Sequence, residues 1–259
     1  MIDVQNQYDA RNIAIDKVGI KNIRYPITVL DREKGFQHTV ANINIYVDLP
    51  KEFKGTHMSR LVELLHIFRS EVSLKNFSNI LKQMKQHLNA ASAHIEITFP
   101  YFIEKKAPVT GVPGLMDYTC RMIGTSDHNG KTDLVLEVVV PVSTVCPCSK
   151  EISDVGAHNQ RGEVRVSLRF KNFIWIEDII TLVENNASTD VFSVLKRADE
   201  KYVTEKAFNN PMFVEDIVRA ITKELKKDDN IIWFSVSAEN FESIHNHNVY
   251  AFISSGKYP

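Results

Sequence analysis

The sequence has few cysteines, no long apolar run near its start and no excess of charge of either sign. Its three cysteines are Cys120, Cys146 and Cys148. This odd number, in a chain whose residues 1–20 lack the apolar stretch of a signal peptide, argues against a disulfide framework and predicts a cytoplasmic protein. The 31 basic and 32 acidic side chains balance, and no basic run predicts binding to nucleic acid or to an anionic membrane. A small molecule is therefore the expected partner.

Hydrophobic periodicity in the first half predicts two strands, two helices and two further strands. Alternation predicts the strands and a 3.6-residue period predicts the helices, the second of which follows a cap at Ser73. The predicted elements lie around residues 23–30, 40–48, 58–68, 74–88, 95–99 and 118–122.

The second half repeats this order, which predicts a duplicated α+β unit. Its strands lie at 134–140, 164–170, 232–238 and 249–253, and its helices at 176–183 and from Pro211 to Leu225. We expect an N-terminal extension, 1–20, and two modules, 21–130 and 131–259. Each module would place helices on one face of an antiparallel sheet, and exposed sheet edges of this kind favour oligomers.

The sequence CPCSK at 146–150 follows a predicted strand, so Cys146 and Cys148 project from a short turn, with His158 further on. Thiolate and imidazole are good ligands for zinc and other divalent transition metals. A Cys-x-Cys pair with no second pair disfavours a closed structural zinc site, whereas a catalytic site needs roughly three protein ligands and an open position. The alternative is that these are incidental cysteines in a loop.

A second polar cluster, 239–248, lies between two predicted strands and contains Glu242 and His245. In a regular strand these two residues face opposite sides, so they could serve one site only if the strand ends or bulges there. The alternative is an asparagine-rich turn with exposed histidines. From composition alone, Glu200, in an apparently irregular stretch, and Glu215, beside the apolar stripe of a helix, are surface carboxylates.

The sequence KGTHMSR at 54–60 opens a predicted helix, where free backbone amides and flanking cations favour a bound anion such as phosphate. It lacks the lysine of a P-loop, and a solvated helix start is the alternative.

Four motifs together resemble those of the type IB GTP cyclohydrolases: GTHMSR at 55–60, CPCSK at 146–150, GAHNQR at 156–161 and ESIHNH at 242–247. The resemblance implies the tunnelling fold, with two tandem ββααββ modules per chain, and a homotetramer with sites at subunit interfaces. It also implies conversion of GTP and water to 7,8-dihydroneopterin triphosphate and formate, the first step of tetrahydrofolate biosynthesis.

The resemblance further implies a role for each site residue by its position. The metal would be zinc or manganese, with iron as a third candidate. The implied metal ligands are Cys146, His158 and Glu200; the catalytic residues are His245, Glu242 and Cys148; the substrate-binding residues are Glu215, which would hold guanine, His247 and His57.

Three other functions fit parts of this pattern. A pterin or queuosine-type reductase or synthase of the same fold would use a cysteine covalently and need no metal. An archaeal iron-dependent relative would give a cyclic phosphate product. A non-catalytic interaction protein would use zinc, held by Cys146, Cys148 and His158, to fix a loop.

Overall fold

The computed structural model describes residues 3–5, 7–68 and 76–256, and their contacts divide the chain into two compact units. The first unit comprises the residues up to Pro100 together with Arg121–Leu136. The second comprises Tyr101–Cys120 and the residues from Glu137 onward. The fold is α+β with a large antiparallel sheet, as predicted. Among the described helices, none is both long and apolar enough to span a membrane.

The first half of the chain contains the predicted order of two strands, two helices and two strands. The elements are β1 (Ile15–Asp31), β2 (Gly35–Leu49), α1 (Met58–Phe68), α2 (Phe77–Leu88), β3 (Ala93–Lys106) and β4 (Pro113–Ser126). Strand β1 begins inside the segment that the sequence predicted as an extension. The predicted cap at Ser73 lies outside the described residues, and the residue that precedes α2 is Asn76.

Strand β2 is central in the first unit, because it pairs antiparallel with β1 and with β3. Ile43 lies opposite Ile23 on one side and Ile97 on the other. Its neighbours Ile45 and Val47 are also fully buried, which confirms the alternation predicted for this strand. Burial of one face of β2 therefore organises the core of this unit.

Helix α2 approaches β4 closely in the first unit. A Cβ atom added at Gly124 would lie 2.3 Å from a ring carbon of Phe77. The absence of a side chain at Gly124 lets the ring of Phe77 lie directly against the strand.

The second half has more elements than the predicted order. They are β5 (Thr132–Val145), α3 (Pro147–Ile152), β6 (Asn159–Phe170), α4 (Ile176–Glu184), β7 (Thr189–Asp190), α5 (Arg197–Asn209), α6 (Val214–Leu225), β8 (Ile231–Asn240) and β9 (Val249–Ser254). The strand order is β5-β6-β8-β9, and the short β7 pairs with β5. The division into modules 21–130 and 131–259 stays a prediction.

Two helical predictions in this half were wrong. The stretch around Glu200 is not irregular but forms α5, a largely polar helix whose only buried residues are Asp199 and Ala207, so it has no apolar stripe to reveal it. The last helix begins at Val214 rather than at Pro211, because the backbone amide of Met212 donates to the carbonyl oxygen of Val145 and keeps this segment extended.

On the first unit's sheet, a polar cluster surrounds the carboxylate of Glu96. His94 Nε2 lies 2.9 Å from Oε1, while Arg121 and Asn44 donate to Oε2 at 2.9 and 3.1 Å. Burial by itself would raise the pKa of Glu96, but the hydrogen bonds from His94, Arg121 and Asn44 outweigh it and lower the pKa to about 2. The charged form of Glu96 is therefore favoured by the folded state.

We expect Glu96→Gln to lower the stability of the protein near neutral pH. A carboxyl group whose pKa is lower in the folded chain adds stability above its unfolded pKa and loses that contribution as the pH falls through its folded pKa. The stability difference between wild type and variant should therefore shrink as the pH falls from the free-glutamate value of 4.5 to about 2. Urea unfolding at a series of pH values measures this difference.

The matched control is Glu63→Gln, which removes an exposed carboxylate from the surface of α1. It should change stability little at any of these pH values. A Glu96→Gln difference that stays constant down to the lowest pH would contradict the assigned pKa.

Candidate active site

The site begins where β5 ends and the chain turns into α3. The sequence predicted a rigid turn at 146–150; the structure has a short helix instead, with Cys146 as its N-cap residue and Pro147 at its first position, where proline is favoured. The sulfur of Cys146 accepts a hydrogen bond from the amide of Ser149 at 3.4 Å. The Cys146 sulfur therefore lies at the N-terminus of α3, while Cys148 is exposed.

His158, at the start of β6, is held directly beside Cys146. The amide of Cys146 donates to the carbonyl oxygen of His158 at 3.1 Å, and the amide of His158 donates to the hydroxyl of Ser149 at 3.2 Å. Two hydrogen bonds therefore fix the relative position of the two residues.

The His158 ring has oxygen atoms around its Nδ1. Oε1 of Gln160 lies 2.9 Å away, and Oε2 of Glu242 lies 3.9 Å away. The Gln160 side chain continues inward, since its Nε2 donates to the hydroxyl of Thr144 at 2.8 Å. Thus Gln160 of β6 orients the imidazole, and Thr144 of β5 anchors Gln160 in turn.

Glu215 enters the site at the start of α6. The bond from the Met212 amide to Val145 attaches the preceding segment to the end of β5. The carboxylate of Asp216 then accepts from the amide of Phe213 at 3.1 Å, which caps the helix. Glu215, in the first turn, is left exposed and free of this capping role.

Glu242, His245 and His247 lie in the loop between β8 and β9. Strand β8 ends at Asn240, which confirms the condition under which Glu242 and His245 can serve one site. The loop is attached to the neighbouring strand through the amide of Phe241, which donates to the carbonyl of Arg161 at 2.9 Å. The rings of His245 and His247 stack, with centroids 5.1 Å apart.

Close approach of β6 and β8 beneath this loop requires a glycine. A Cβ atom at Gly162 would lie 2.4 Å from Oδ1 of Asn240 and 2.9 Å from the carbonyl oxygen of Glu239. Any larger residue at Gly162 would push β8 away from β6 and move the loop with it.

These segments enclose a cavity of about 420 Å³ within the second unit, in the size range of small-molecule sites. Six of the nine predicted site residues line it: Cys146, His158, Glu215, Glu242, His245 and His247. The cavity therefore contains one thiol, three imidazoles and two carboxylates, which are the kinds of side chain that ligate metals and transfer protons.

The other three predicted residues lie elsewhere. Cys148 is exposed on α3, and His57, in the first unit, contacts Asp3 at 3.2 Å. Glu200 is exposed on α5 and does not line the cavity.

The position of Glu200 follows from its neighbour Asp199, which is fully buried. The Asp199 carboxylate accepts from the amides of Val109, Thr110 and Lys196 at 2.8, 2.9 and 2.9 Å, and from the Thr110 hydroxyl at 2.6 Å. Burial would raise the pKa of Asp199, yet the hydrogen bonds from Thr110, Lys196 and Val109 hold it well below its usual value. Because successive helix residues are about 100° apart, burying Asp199 turns Glu200 toward solvent.

The donor set fits a divalent metal in part. Cys146 and His158 offer sulfur and nitrogen donors suited to zinc, and a hydrogen-bonded Nδ1 on a ligating histidine is the usual arrangement. Within residues 3–5, 7–68 and 76–256, however, no three His, Cys, Asp or Glu side chains are grouped so as to hold a metal ion. The described part of one chain therefore offers no complete set of three such ligands.

Sequence reasoning assigned no role to several residues that line the cavity, among them Gln160, Asn240 and Tyr250. The signal for Gln160 was available, because residues two apart in a strand share a face and Gln160 follows His158 by two. Asn240 and Tyr250 carried no comparable signal, since their positions depend on where β8 and β9 end and begin.

Comparison with known proteins gives matches over nearly the whole chain. The family model "Type I GTP cyclohydrolase folE2" matches residues 1–251. GTP cyclohydrolase FolE2 of Desulfosudis oleivorans is 65% identical over 257 residues, which is 99% of both chains. That of Syntrophobacter fumaroxidans is 62% identical over 257 residues, 99% of this chain and 100% of the relative.

Solved structures resemble the chain in fold alone. The uricase of Arthrobacter globiformis superimposes with a TM-score of 0.54 at 8% identity, covering 94% of this chain and 95% of the uricase. The uricase of Bacillus fastidious gives 0.56 at 6% identity, covering 93% and 92%. These are distant tunnelling-fold neighbours. The sequence relatives go further: they span the full length and share well over half of the residues, so the chain belongs to the type I GTP cyclohydrolase FolE2 family, as its four motifs indicated.

Proposed function

We propose that this chain is a type IB GTP cyclohydrolase, which converts GTP and water to 7,8-dihydroneopterin triphosphate and formate at the head of tetrahydrofolate biosynthesis. The observation that carries the proposal is that Cys146, His158, Glu215, Glu242 and His245 line one and the same cavity. The full-length match to GTP cyclohydrolases supplies the substrate.

In this function Cys146 and His158 would hold a divalent metal, with zinc and manganese the first candidates and iron the third. Such an ion supplies Lewis acidity that lowers the pKa of water and makes it a nucleophile near neutral pH. The protein contributes the rigid placement of its two ligands, through the Cys146–His158 and Ser149–His158 hydrogen bonds.

Glu242 and His245 are placed to move protons. In the proposed reaction water adds to C8 of the purine, the bond from C8 to a ring nitrogen breaks, and that nitrogen takes up a proton. His245 would deliver this proton, since an imidazole ring can both donate and accept protons, and Glu242 would assist by accepting a proton from the attacking water. A second hydrolysis releases C8 as formate, and the ribose carbons then close the pterin ring with loss of one water.

Glu215 would select guanine. A carboxylate accepts two parallel hydrogen bonds from N1–H and the 2-amino group of guanine, whereas adenine presents no such pair. Its exposed position at the first turn of α6, with Asp216 taking the capping role, leaves both carboxylate oxygens available. His247 in the cavity and His57 at the start of α1 are the further candidates for substrate binding, and Cys148 stays a candidate catalytic residue.

We further propose that the active enzyme is a homotetramer of the tunnelling fold, two ββααββ modules per chain, with sites at subunit interfaces. Glu200 is exposed and lies outside the cavity of its own chain, so it would complete the ligand set of Cys146 and His158 in a neighbouring subunit. Exposed edge strands β1 and β9 are suited to such contacts.

The direct test is to purify the protein free of metal, supply GTP with Zn²⁺, Mn²⁺ or Fe²⁺ singly, and follow formate and pterin fluorescence. We expect both products to appear in equal amounts, and only with metal. Glu242→Gln and His245→Gln should fold and bind metal yet lose turnover by roughly 10²–10⁴-fold, the usual contribution of general acid–base catalysis.

The control is Glu205→Gln, which removes an exposed carboxylate from α5 and should leave turnover unchanged. Full activity of metal-free protein would contradict the role of the metal. Unchanged turnover in both cavity variants would contradict the proton-transfer roles of Glu242 and His245. Failure of the wild-type protein to consume GTP with any of these metals would favour the non-catalytic, zinc-stabilised alternative.

Guanine selection is tested by comparing GTP with inosine triphosphate, which lacks the 2-amino group. We expect Glu215→Gln to raise KM for GTP by about 10- to 100-fold, because hydrogen bonds to a charged partner contribute about 1.5–3 kcal/mol. The variant should also lose most of the wild-type preference for GTP over inosine triphosphate. Asp216→Asn, one residue on, should weaken the helix cap without changing this preference; an unchanged preference in Glu215→Gln would refute the assignment.

Sharing of ligands between subunits is tested by co-expressing two inactive variants, Cys146→Ser and Glu200→Ala, in one cell. If Glu200 serves a neighbouring subunit, mixed assemblies contain some sites with every ligand intact, and we expect activity and bound metal to return in part. The control pair, Cys146→Ser with His158→Gln, should not complement, since these ligands share one chain. Failure of the first pair to recover would place Glu200 in its own subunit or outside the ligand set.

A further inference from the structure

A chain of buried hydrogen bonds leads from the His158 ring into the protein interior. His158 Nδ1 contacts Oε1 of Gln160 at 2.9 Å, and Gln160 Nε2 contacts the hydroxyl of Thr144 at 2.8 Å. Gln160 is 7% exposed and Thr144 is fully buried. No role in the reaction described above uses either residue, although Gln160 lines the cavity.

The orientation of the Gln160 amide decides which nitrogen of neutral His158 carries the proton. With Oε1 toward the ring, Nδ1 must be the N–H donor, and Nε2 keeps its lone pair. With the amide turned over, its NH₂ group would face Nδ1, the proton would move to Nε2, and Nε2 could no longer ligate a metal. The hydroxyl of Thr144 does not settle this by itself, because a hydroxyl can donate or accept.

The position of Glu242 favours the first orientation of the Gln160 amide, in which Oε1 faces the ring. Its Oε2 lies 3.9 Å from the same ring nitrogen, and its side chain is 8% exposed. At this distance the carboxylate forms no direct hydrogen bond, but its charge lies on the Nδ1 side of the ring and favours a proton there. Two acceptor oxygens, from Gln160 and Glu242, therefore face Nδ1.

We propose that Gln160, anchored by Thr144, is a positioning residue that holds neutral His158 in the Nδ1–H tautomer and so reserves Nε2 as the metal donor. The relay is rigid, because Thr144 lies near the end of β5 and Gln160 on β6, the strand beside it. Partners of this kind fix the ring orientation and the tautomer of ligating histidines. Only the metal part of this inference depends on the proposed function.

The tautomer is measured on metal-free protein labelled with ¹⁵N-histidine, at a pH where the ring is neutral. The chain has 9 histidines, and the His158 signals are identified by their loss in His158→Gln. We expect a pyrrole-type shift for Nδ1 and a pyridine-type shift for Nε2. In Gln160→Leu, which replaces the amide with an apolar side chain of broadly similar size and removes both hydrogen bonds, the two shifts should move toward a mixture of tautomers. A wild-type Nε2–H tautomer would overturn the proposal.

Zinc affinity gives a second readout, measured by competition with a chromogenic chelator. We expect Gln160→Leu to weaken Zn²⁺ binding by about 10- to 100-fold, as for other partners of ligating histidines. Gln160→Glu should retain most of the affinity, because a carboxylate also accepts from Nδ1–H. Equal losses in the two variants would show a packing effect and overturn the proposal.

Thr144→Val tests the anchor without altering the cavity wall. It should shift the His158 tautomer in the same direction as Gln160→Leu, by a smaller amount. The matched control is Thr222→Val on α6, which removes a buried hydroxyl that has no hydrogen-bond partner among the described residues. It should leave both the tautomer and the Zn²⁺ affinity unchanged.

The outcomes separate this inference from the proposed function. If wild-type protein shows the Nδ1–H tautomer and the Gln160 variants alter it, the relay stands even where GTP is not consumed. If GTP is converted with metal but the tautomer is insensitive to Gln160, the function stands and the relay is refuted.

Discussion

The hydrogen bond between the Cys146 amide and the His158 carbonyl is the contact on which the rest of the site depends. It joins the residue after β5 to the residue before β6. The six-residue helix α3 lies between these two residues in the chain. The hydroxyl of Ser149 accepts a hydrogen bond from the amide of His158 and so helps to fix the same corner. Because main-chain atoms and one small side chain fix the backbone of this corner, the sulfur and the imidazole are brought together with only one hydrogen bond to the sulfur and one to Nδ1 of the ring. Two residues that are distant in sequence become neighbours with their chemistry intact.

Main-chain hydrogen bonds also attach the other segments that line the cavity. The segment before α6 attaches to β5 through the amide of Met212, and the loop after β8 attaches to β6 through the amide of Phe241. Gly162 lets the strands approach closely enough for the second attachment. Backbone bonds of this kind fix position at modest energetic cost, since each amide would otherwise need water. Neither Glu215 nor Glu242 is needed for these attachments, so their carboxylates would be available for guanine and for proton transfer in the proposed reaction.

Much of this architecture could be predicted from sequence, and the failures have a physical cause. Alternation in β2 and β6 was readable because one face of each strand is buried. Helix α5 was not readable, because it is held by the polar contacts of Asp199 rather than by an apolar stripe. The sequence also indicated that Glu242 and His245 need the strand to end, which it does at Asn240. The side of α5 that Glu200 faces depends on a hydrogen-bond partner some 90 residues away in the chain, which local patterns do not encode.

The exposed position of Glu200 has a thermodynamic consequence if it completes the metal site in a neighbouring subunit. Two protein ligands hold a divalent ion weakly compared with three, so a lone chain would bind metal poorly and an assembled one tightly. Metal binding and assembly are then linked, because a ligand that binds only the assembled state stabilises that state by mass action. The buried partners of His158 would favour metal binding within one chain, because an imidazole that is already fixed in place lowers the ordering cost of binding. Two ligands would then be held rigidly in one chain and the third supplied by a neighbouring subunit. The enzyme would be active only when it is both assembled and bound to metal.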